Sequence, residues 1–298
     1  MSKTVYIIVG PTAVGKTSLA IQLAKHLQTE IISADARQCY KELTIGVARP
    51  SVEELNTVPH HFIASHSITE TVNASVFEKY ALAITEKLFE QKDSVVMVGG
   101  TGLYIKAFCE GLDDIPAIDP SVRKNITQSY EDNGLIWLQE QLKQKDPVYW
   151  DQAEQENPQR LMRALEVMEG LGKSILSFQG QQKKQRPFTI KMIGLEMDRP
   201  ILYDRINARV LQMIADGLEQ EVQSLLPHFS LNALQTVGYS EWLTYFNKEQ
   251  SLDQVISSIQ QNTRHYAKRQ MTWFKKDPSV QWYNASSLHL LDTIIANI

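Results

Sequence analysis

The chain has 298 residues, of which 43% are apolar and 21% charged, a globular composition that excludes a disordered chain. Thirty Lys and Arg against 34 Asp and Glu leave a net charge of −4; this excludes a uniformly basic protein and leaves local basic patches open. The length allows about two domains without a disulfide or metal staple. The two cysteines, Cys39 and Cys109, form no CxxC pattern, so neither a zinc site nor a disulfide framework is expected, and both are read as buried and inert. No secretory signal is evident and no run approaches the ~20 apolar residues that span a bilayer, so a cytoplasmic location and no membrane partner are expected.

Residues 4–9 (TVYIIV) predict a strand buried on both faces, as in a parallel sheet. A glycine-rich turn follows, then residues 16–28 place Leu19, Ala20, Leu23, Ala24 and Leu27 on one helical stripe. Residues 30–34 predict a second strand ending at Asp35, and His61–Ala64 a weaker one. Residues 75–91 read as a helix, 94–98 (SVVMV) as a buried strand, and 102–110 as a helix after Gly99-Gly100-Thr101. Strands alternating with amphipathic helices predict an α/β protein with a mainly parallel sheet. Between Asp119 and Phe178 no strand is evident. Asp119-Pro120 fits a helix start, Trp137 to Leu142 lie in a second helical stretch, and Pro158 to Met168 in a third. Residues 179–187 read as a polar, basic loop, 188–195 as a strand, 201–226 and 251–276 as long helices, and 280–283 as a last short strand. The pattern predicts a helical insertion at 116–187 within an α/β core formed by 1–115 and 188–298.

Gly10-Pro11-Thr12-Ala13-Val14-Gly15-Lys16-Thr17 matches GxxxxGK[ST] between a strand and a helix, the context of a phosphate-binding P-loop. Backbone N–H groups and the helix N-terminus suit an anion, Lys16 adds charge, and the Thr17 hydroxyl is a ligand for Mg²⁺. The strand at 94–98 ends in Gly-Gly-Thr rather than in the Asp that accompanies nucleotide-hydrolysing P-loops, and no Asn-Lys-x-Asp guanine signature occurs, so an ordinary ATPase or GTPase is poorly supported. Asp35, at the ligand-facing edge of the sheet, fits a Mg²⁺ ligand, a general base or a turn cap. Thr101 fits a phosphate contact, an N-cap or both. Arg160 and Arg163 share one helix face, suited either to clamping phosphate or to solvent. Residues 264–276 carry Arg264, Lys268, Arg269, Lys275 and Lys276 among Tyr266, Trp273 and Phe274. With Lys183, Lys184, Arg186 and Lys191 as a second cluster, this pattern favours polyanion binding over a solvated amphipathic helix. His60 and His61 are adjacent, point to opposite strand faces, and are read as structural.

In order, GPTAVGKT, ISADARQCY with IGVARP, PHH, VGGTGLYIKA, NPQRLMRALEV and AKRQMTWF closely resemble the bacterial tRNA dimethylallyltransferase family, from Lys3 to about Trp273. The resemblance implies a P-loop NTPase-like core with a helical insertion. It also implies transfer of a dimethylallyl group from dimethylallyl diphosphate to N6 of adenosine 37, next to the anticodon. The loop 10–17 would then hold the diphosphate with Mg²⁺, Asp35 would be the general base, and Thr101 and Lys16 would act at the reacting phosphate. Asp35, Ala36, Arg37, Gln38, Thr101 and Arg123, with Gln159, Arg160, Leu161, Met162 and Arg163, match stretches that contact the tRNA anticodon arm; Lys268 and Arg269 come from the basic segment. A cytoplasmic monomer is expected. Ala36 stands where Ser is common, Val47 where Thr is common, and Ile63-Ala64 replaces the usual Leu-Ile-Asp ending after PHH. The first two remove hydroxyls near the crevice. Alternatives are a P-loop kinase for a small metabolite, a non-catalytic RNA-binding protein, and an isopentenyltransferase acting on free adenine nucleotides.

Overall fold

The computed structural model describes residues 3–180 and 183–298. Met1 and Ser2 lie outside the described residues, as do Gln181 and Gln182 of the predicted 179–187 loop. The chain divides into one unit of Met1–Gly111 with Gln185–Ile298 and a second of Leu112–Lys184. The division therefore falls a few residues before the 116–187 limits expected from sequence.

The first unit begins with β1 (Thr4–Val9), α1 (Lys16–His26), β2 (Ile31–Ala34), α2 (Val52–Thr57), β3 (His60–His61), α3 (Ala74–Phe89), β4 (Ser94–Gly99) and α4 (Gly102–Glu110). The second unit holds α5 (Pro120–Lys145), α6 (Pro147–Trp150) and α7 (Pro158–Leu171). The first unit resumes with β5 (Thr189–Glu196), α8 (Arg199–Ala215), α9 (Leu218–Leu225), α10 (Trp242–Phe246), α11 (Leu252–Phe274), β6 (Val280–Asn284) and α12 (Leu290–Ala296).

The six strands form one sheet in the order β3-β2-β4-β1-β5-β6, with every pairing parallel. All six residues of β1 are buried, because helices cover both faces of such a sheet and leave no solvated side. Ile8 and Val98 pack with Leu19, Leu23, Ile193 and Ile206 in the main core. Since the strands run in one direction, the residues that follow β1, β2 and β4 emerge at one edge. Gly10, Asp35 and Gly100 are brought together in this way, at the edge where open parallel sheets bind ligands.

Three local expectations change. The helix expected at 201–226 is two helices, broken at Asp216-Gly217, where Gly217 has φ 99°. The strand expected at His61–Ala64 is only His60–His61, since Phe62 and Ala64 take left-handed φ values of 64° and 46°. The short helix α2 is unanticipated. It buries no side chain and so has no apolar period; a Ser51–Glu54 capping box defines its start.

In the second unit Ile126, Leu138, Leu142, Leu161, Met162, Ala164 and Leu165 form a separate small core. The long α5 is interrupted at Gly134, with φ 74°. Leu161 and Met162 are 0% and 3% exposed. Their side chains fill the small core, so a tRNA contact at these two positions is left to the backbone.

Arg186 also departs from expectation. It is not part of a free basic cluster. Its guanidinium donates to Glu78 Oε1 (2.7 Å), Ala107 O (2.9 Å) and Phe108 O (2.7 Å). The Arg186 and Glu78 side chains are only 10% and 11% exposed. Removing one member of such a pair strands the other charge. Arg186→Met is expected to lower unfolding stability by about 3 kcal/mol in urea titrations, and a loss under about 1 kcal/mol would contradict a buried structural pair.

Candidate active site

Two cavities meet at the carboxyl edge of the sheet. The first, of about 220 Å³, is lined by Thr12, Ala13, Gly15, Lys16, Thr17 and the arginines Arg205 and Arg209. The second, of about 280 Å³, is more apolar, with Val47, Ile206, Val210, Met213, Val237 and Ile259 in its wall. Asp35, Thr12, Ala48 and Tyr266 face both. An anionic group thus has a cationic cleft, and an apolar or aromatic group has the adjoining one, with a carboxylate between them.

The loop at 10–17 joins β1 to the N-terminus of α1, with Gly15 in a left-handed conformation. Thr12, Ala13, Gly15, Lys16 and Thr17 line the first cavity. Gly10, Pro11 and Val14 are buried outside its lining and shape the loop instead; Pro11 O accepts from Lys16 Nζ at 2.8 Å. Enclosure in the cleft lowers the Lys16 pKa to about 7, with Asp35 opposing this shift and Arg209 adding to it. Burial thus disfavours the Lys16 charge, and an anion entering the cleft would favour it.

Asp35 follows β2 directly. Its Oδ1 accepts from the N–H groups of Arg37 (2.8 Å) and Gln38 (3.1 Å). The turn role is therefore present, and it fixes the carboxyl plane while Asp35 faces both cavities. Thr101 occupies the N-cap position of α4 without capping it. Its hydroxyl accepts from Ala36 N–H (3.0 Å) and bonds the Tyr266 hydroxyl. Burial first, and the Asp35 charge next, push the Tyr266 pKa above the ordinary phenol range, so its proton stays on. Ser33 and the backbone carbonyls of Val47 and Ala48 engage the Gln38 side chain. Arg37 lines the second cavity and reaches Asn232 at 3.3 Å. Val47 faces both cavities, so the methyl group that replaces the usual hydroxyl makes their shared wall more apolar.

Gln270 from α11 ties this edge together. Thr12 N–H donates to its Oε1 at 2.8 Å, and its Nε2 donates to Gly100 O at 3.1 Å. A Cβ on Gly100 would meet Gln270 Nε2, so a larger residue there would displace the Gln270 carboxamide from these bonds. Sequence reasoning missed Gln270, Arg205 and Arg209. Gln270 lies within AKRQMTWF, the one signal that could have found it; Arg205 and Arg209 lie one turn apart on α8, and only the topology brings them to the cleft.

The basic segment is less uniform than its composition suggests. Lys268 and Arg269 are exposed, and Arg269 lies 5.9 Å over the Tyr266 ring. Arg264 donates to Asn207 at 2.7 Å, and Lys275 pairs with Glu196 at 2.6 Å and covers the Trp282 ring. Lys191 reaches Ile298 O at 3.1 Å, and Lys184 lies 3.5 Å from Asp114. These contacts remove Arg264, Lys275 and Lys191 from the expected set of free cations. His61 pairs with Glu30 at 2.6 Å, while His60 lines the first cavity, so the two point apart as expected, but His60 faces the site. Cys39 is fully buried, and burial pushes its thiol up to about 12, as expected for an inert residue; Cys109 is half-buried.

Within the helical unit, Arg123 donates to Glu166 (3.2 Å) and to Gln159 (3.1 Å). Arg163 pairs with Glu166 at 3.1 Å, and Arg160 with Glu154 at 2.6 Å. Arg123 and Arg163 thus converge on the Glu166 carboxylate, Gln159 accepts from Arg123, and Arg160 lies alongside on the exposed face of α7.

For magnesium, the oxygen donors that line the first cavity include the Thr17 hydroxyl and the carboxylates of Asp35 and Glu54. Such a set fits an ion that completes its shell with phosphate oxygens and water. Among the described residues no group of three or more His, Cys, Asp or Glu could hold a metal.

Diphosphate binding should recharge Lys16. Near pH 8 the free protein holds Lys16 mostly neutral and an anion favours the charged form, so binding takes up a proton, and affinity falls as pH rises above about 7. Calorimetry with inorganic diphosphate in buffers of different ionisation enthalpy should register this uptake, and Lys16→Met should abolish it. Equal uptake in the variant would contradict the assignment.

The IPP transferase family model matches residues 38–277. The chain is 48% identical over 300 residues to the tRNA dimethylallyltransferase of Christiangramia forsetii, covering 100% of this chain and 99% of that one. It is 48% identical over 286 residues to the tRNA dimethylallyltransferase of Flavobacterium johnsoniae, covering 94% and 93%. Among solved structures, it resembles the full-length tRNA isopentenylpyrophosphate transferase of Bacillus halodurans, with TM-score 0.72, 34% identity, and coverage of 100% and 95%. A eukaryotic dimethylallyltransferase acting on tRNA superposes with TM-score 0.81 at 25% identity, covering 99% of this chain and 77% of that one. Matched by the family model over 38–277 and by relatives of 48% identity along nearly its whole length, the chain belongs to the IPP transferase family.

Proposed function

We propose that this protein is a tRNA dimethylallyltransferase, moving a dimethylallyl group from dimethylallyl diphosphate to N6 of adenosine 37 beside the anticodon. The observation that carries this reading is the place of Asp35, between a cationic cleft with a phosphate loop and an apolar cavity. The diphosphate suits the first cavity, where loop N–H groups, Lys16, Arg205 and Arg209 converge. The allylic chain and the adenine ring suit the second. As the allylic C–O bond breaks, the charge that grows on the diphosphate meets these donors. Asp35 takes the N6 proton while nitrogen attacks carbon. Thr101, held by Ala36 and Tyr266, presents its hydroxyl beside the reacting centre. Magnesium, held through Thr17, would supply further neutralisation of the diphosphate. The adenine has to leave its stack to reach this site, as base-modifying enzymes require.

The exposed Lys268 and Arg269, and the Arg160–Arg163 face of the helical unit, suit the phosphates of an anticodon arm. A free nucleotide needs none of these surfaces, which favours tRNA over AMP as acceptor. A monomer in the cytoplasm fits this role, and among the described residues no helix is long and apolar enough to cross a membrane.

Asp35→Ala is expected to lower turnover on tRNA roughly 10²–10⁴-fold, the range for losing a general base, with the affinity for inorganic diphosphate changed little. Near-normal turnover would contradict the role of Asp35. Prenylation of AMP as efficient as that of tRNA would favour the free-nucleotide reading.

A further inference from the structure

The segment 44–49 has no regular secondary structure, yet Val47 and Ala48 form part of the wall of both cavities. Its conformation is imposed from outside by Glu221 on α9. Oε2 of Glu221 accepts from the N–H groups of Thr44 (3.1 Å) and Ile45 (2.8 Å). Oε1 accepts from Gly46 N–H (3.1 Å) and from the Tyr239 hydroxyl (2.6 Å). Tyr239 is fully buried, and its ring lies so close to Gly46 that any Cβ there would meet it. The residues just before it, Thr236, Val237 and Gly238, line the second cavity. From the inner side, Gln38 Nε2 donates to Val47 O (3.2 Å) and Ala48 O (3.0 Å), and the Gln38 backbone N–H is held by Asp35. Arg49 donates to the carbonyls of Tyr40, Lys41 and Leu43 and closes the base of the segment.

One carboxylate thus receives four donors and joins two walls of the cavity in which the acceptor would react. A carboxylate offers acceptors at both oxygens, whereas a carboxamide offers one. An amide in its place would turn an NH₂ toward either the Thr44 and Ile45 N–H pair or the Gly46 and Tyr239 pair. The wall would then shift while the phosphate loop, built on β1 and α1, kept its shape.

We propose that Glu221 is a positioning residue for prenyl transfer: through Thr44, Ile45, Gly46 and Tyr239 it fixes the wall that Val47 and Ala48 present to the reacting groups. This rests on the function proposed above and adds a residue that does not itself touch the reacting atoms.

The test compares wild type, Glu221→Gln and Tyr239→Phe in tRNA prenylation, inorganic diphosphate binding and amide hydrogen exchange. Glu221→Gln should lower kcat about 10- to 100-fold, the scale of an ångström-level misplacement. Its KM for dimethylallyl diphosphate and its affinity for inorganic diphosphate should stay within about twofold of wild type. Exchange at Ile45 and Gly46 should accelerate. Tyr239→Phe, which removes one donor of four, should give a smaller fall in kcat, and the double variant should be no slower than Glu221→Gln alone. If Glu221→Gln does not fold, Tyr239→Phe carries the test, with kcat lowered and KM for the donor unchanged. Wild-type kcat in a folded Glu221→Gln or Tyr239→Phe protein, or a parallel loss of diphosphate affinity, would overturn the proposal. Wild-type protein that prenylates no tRNA would overturn the function reading itself, and with it the catalytic part of this one; unchanged exchange at Ile45 and Gly46 would overturn the holding role independently of activity.

Discussion

The carboxamide of Gln270 accepts a hydrogen bond from Thr12 through one atom and donates one to Gly100 through the other. It is 5% exposed. A buried amide is tolerated only when its polar atoms are satisfied, and here both partners belong to the working edge of the sheet. The 10–17 loop after β1 and the turn after β4 are thereby both tied to α11. Tyr266, one turn earlier on α11, bonds Thr101 and faces Asp35's two cavities. Gln270 thus ties α11 to the two segments that carry Lys16 and Thr101, in addition to the β1–β4 pairing that joins them.

Given that frame, the electrostatics follow from enclosure. Lys16 sits where its own charge is disfavoured, with Arg209 adding to the effect. Such a site gains most when a polyanion enters, because the ligand replaces the lost hydration of several cations at once. The adjoining cavity takes a different chemistry, since its wall is largely apolar. An allylic diphosphate joins those two properties in one molecule. The short turn bonds to Asp35 Oδ1 orient the carboxylate between them without neutralising it by an ion pair.

Much of this was legible in the sequence, for identifiable reasons. The strands at β1 and β4 are buried on both faces, so their apolar runs stand out, and GxxxxGK[ST] marks the loop between β1 and α1. Asp35 stands out because it directly follows β2, and Thr101 because it comes two residues after β4, both at the same edge of the sheet. The ordered motifs then pointed to the family. Other features depend on long-range contacts that leave no local pattern. Arg186, Arg264 and Lys275 read as free cations until their partners Glu78, Asn207 and Glu196 are seen to meet them. Leu161 and Met162 lie in a motif with arginines, yet the helical period turns them into the core. Glu221 looks like one more acidic residue on a solvated helix until three backbone N–H groups from residues 44–46 arrive at its carboxylate.

The central claim is that one site brings an allylic diphosphate and a tRNA adenine together across Asp35. Incubation of the wild-type protein with labelled dimethylallyl diphosphate, Mg²⁺ and unmodified tRNA, followed by nucleoside mass analysis, tests it most directly. The account predicts that label appears as a dimethylallyl group on N6 of one adenosine beside the anticodon, with diphosphate released and no ATP consumed. Unmodified tRNA, together with ATP hydrolysis or phosphorylation of a small molecule, would contradict it.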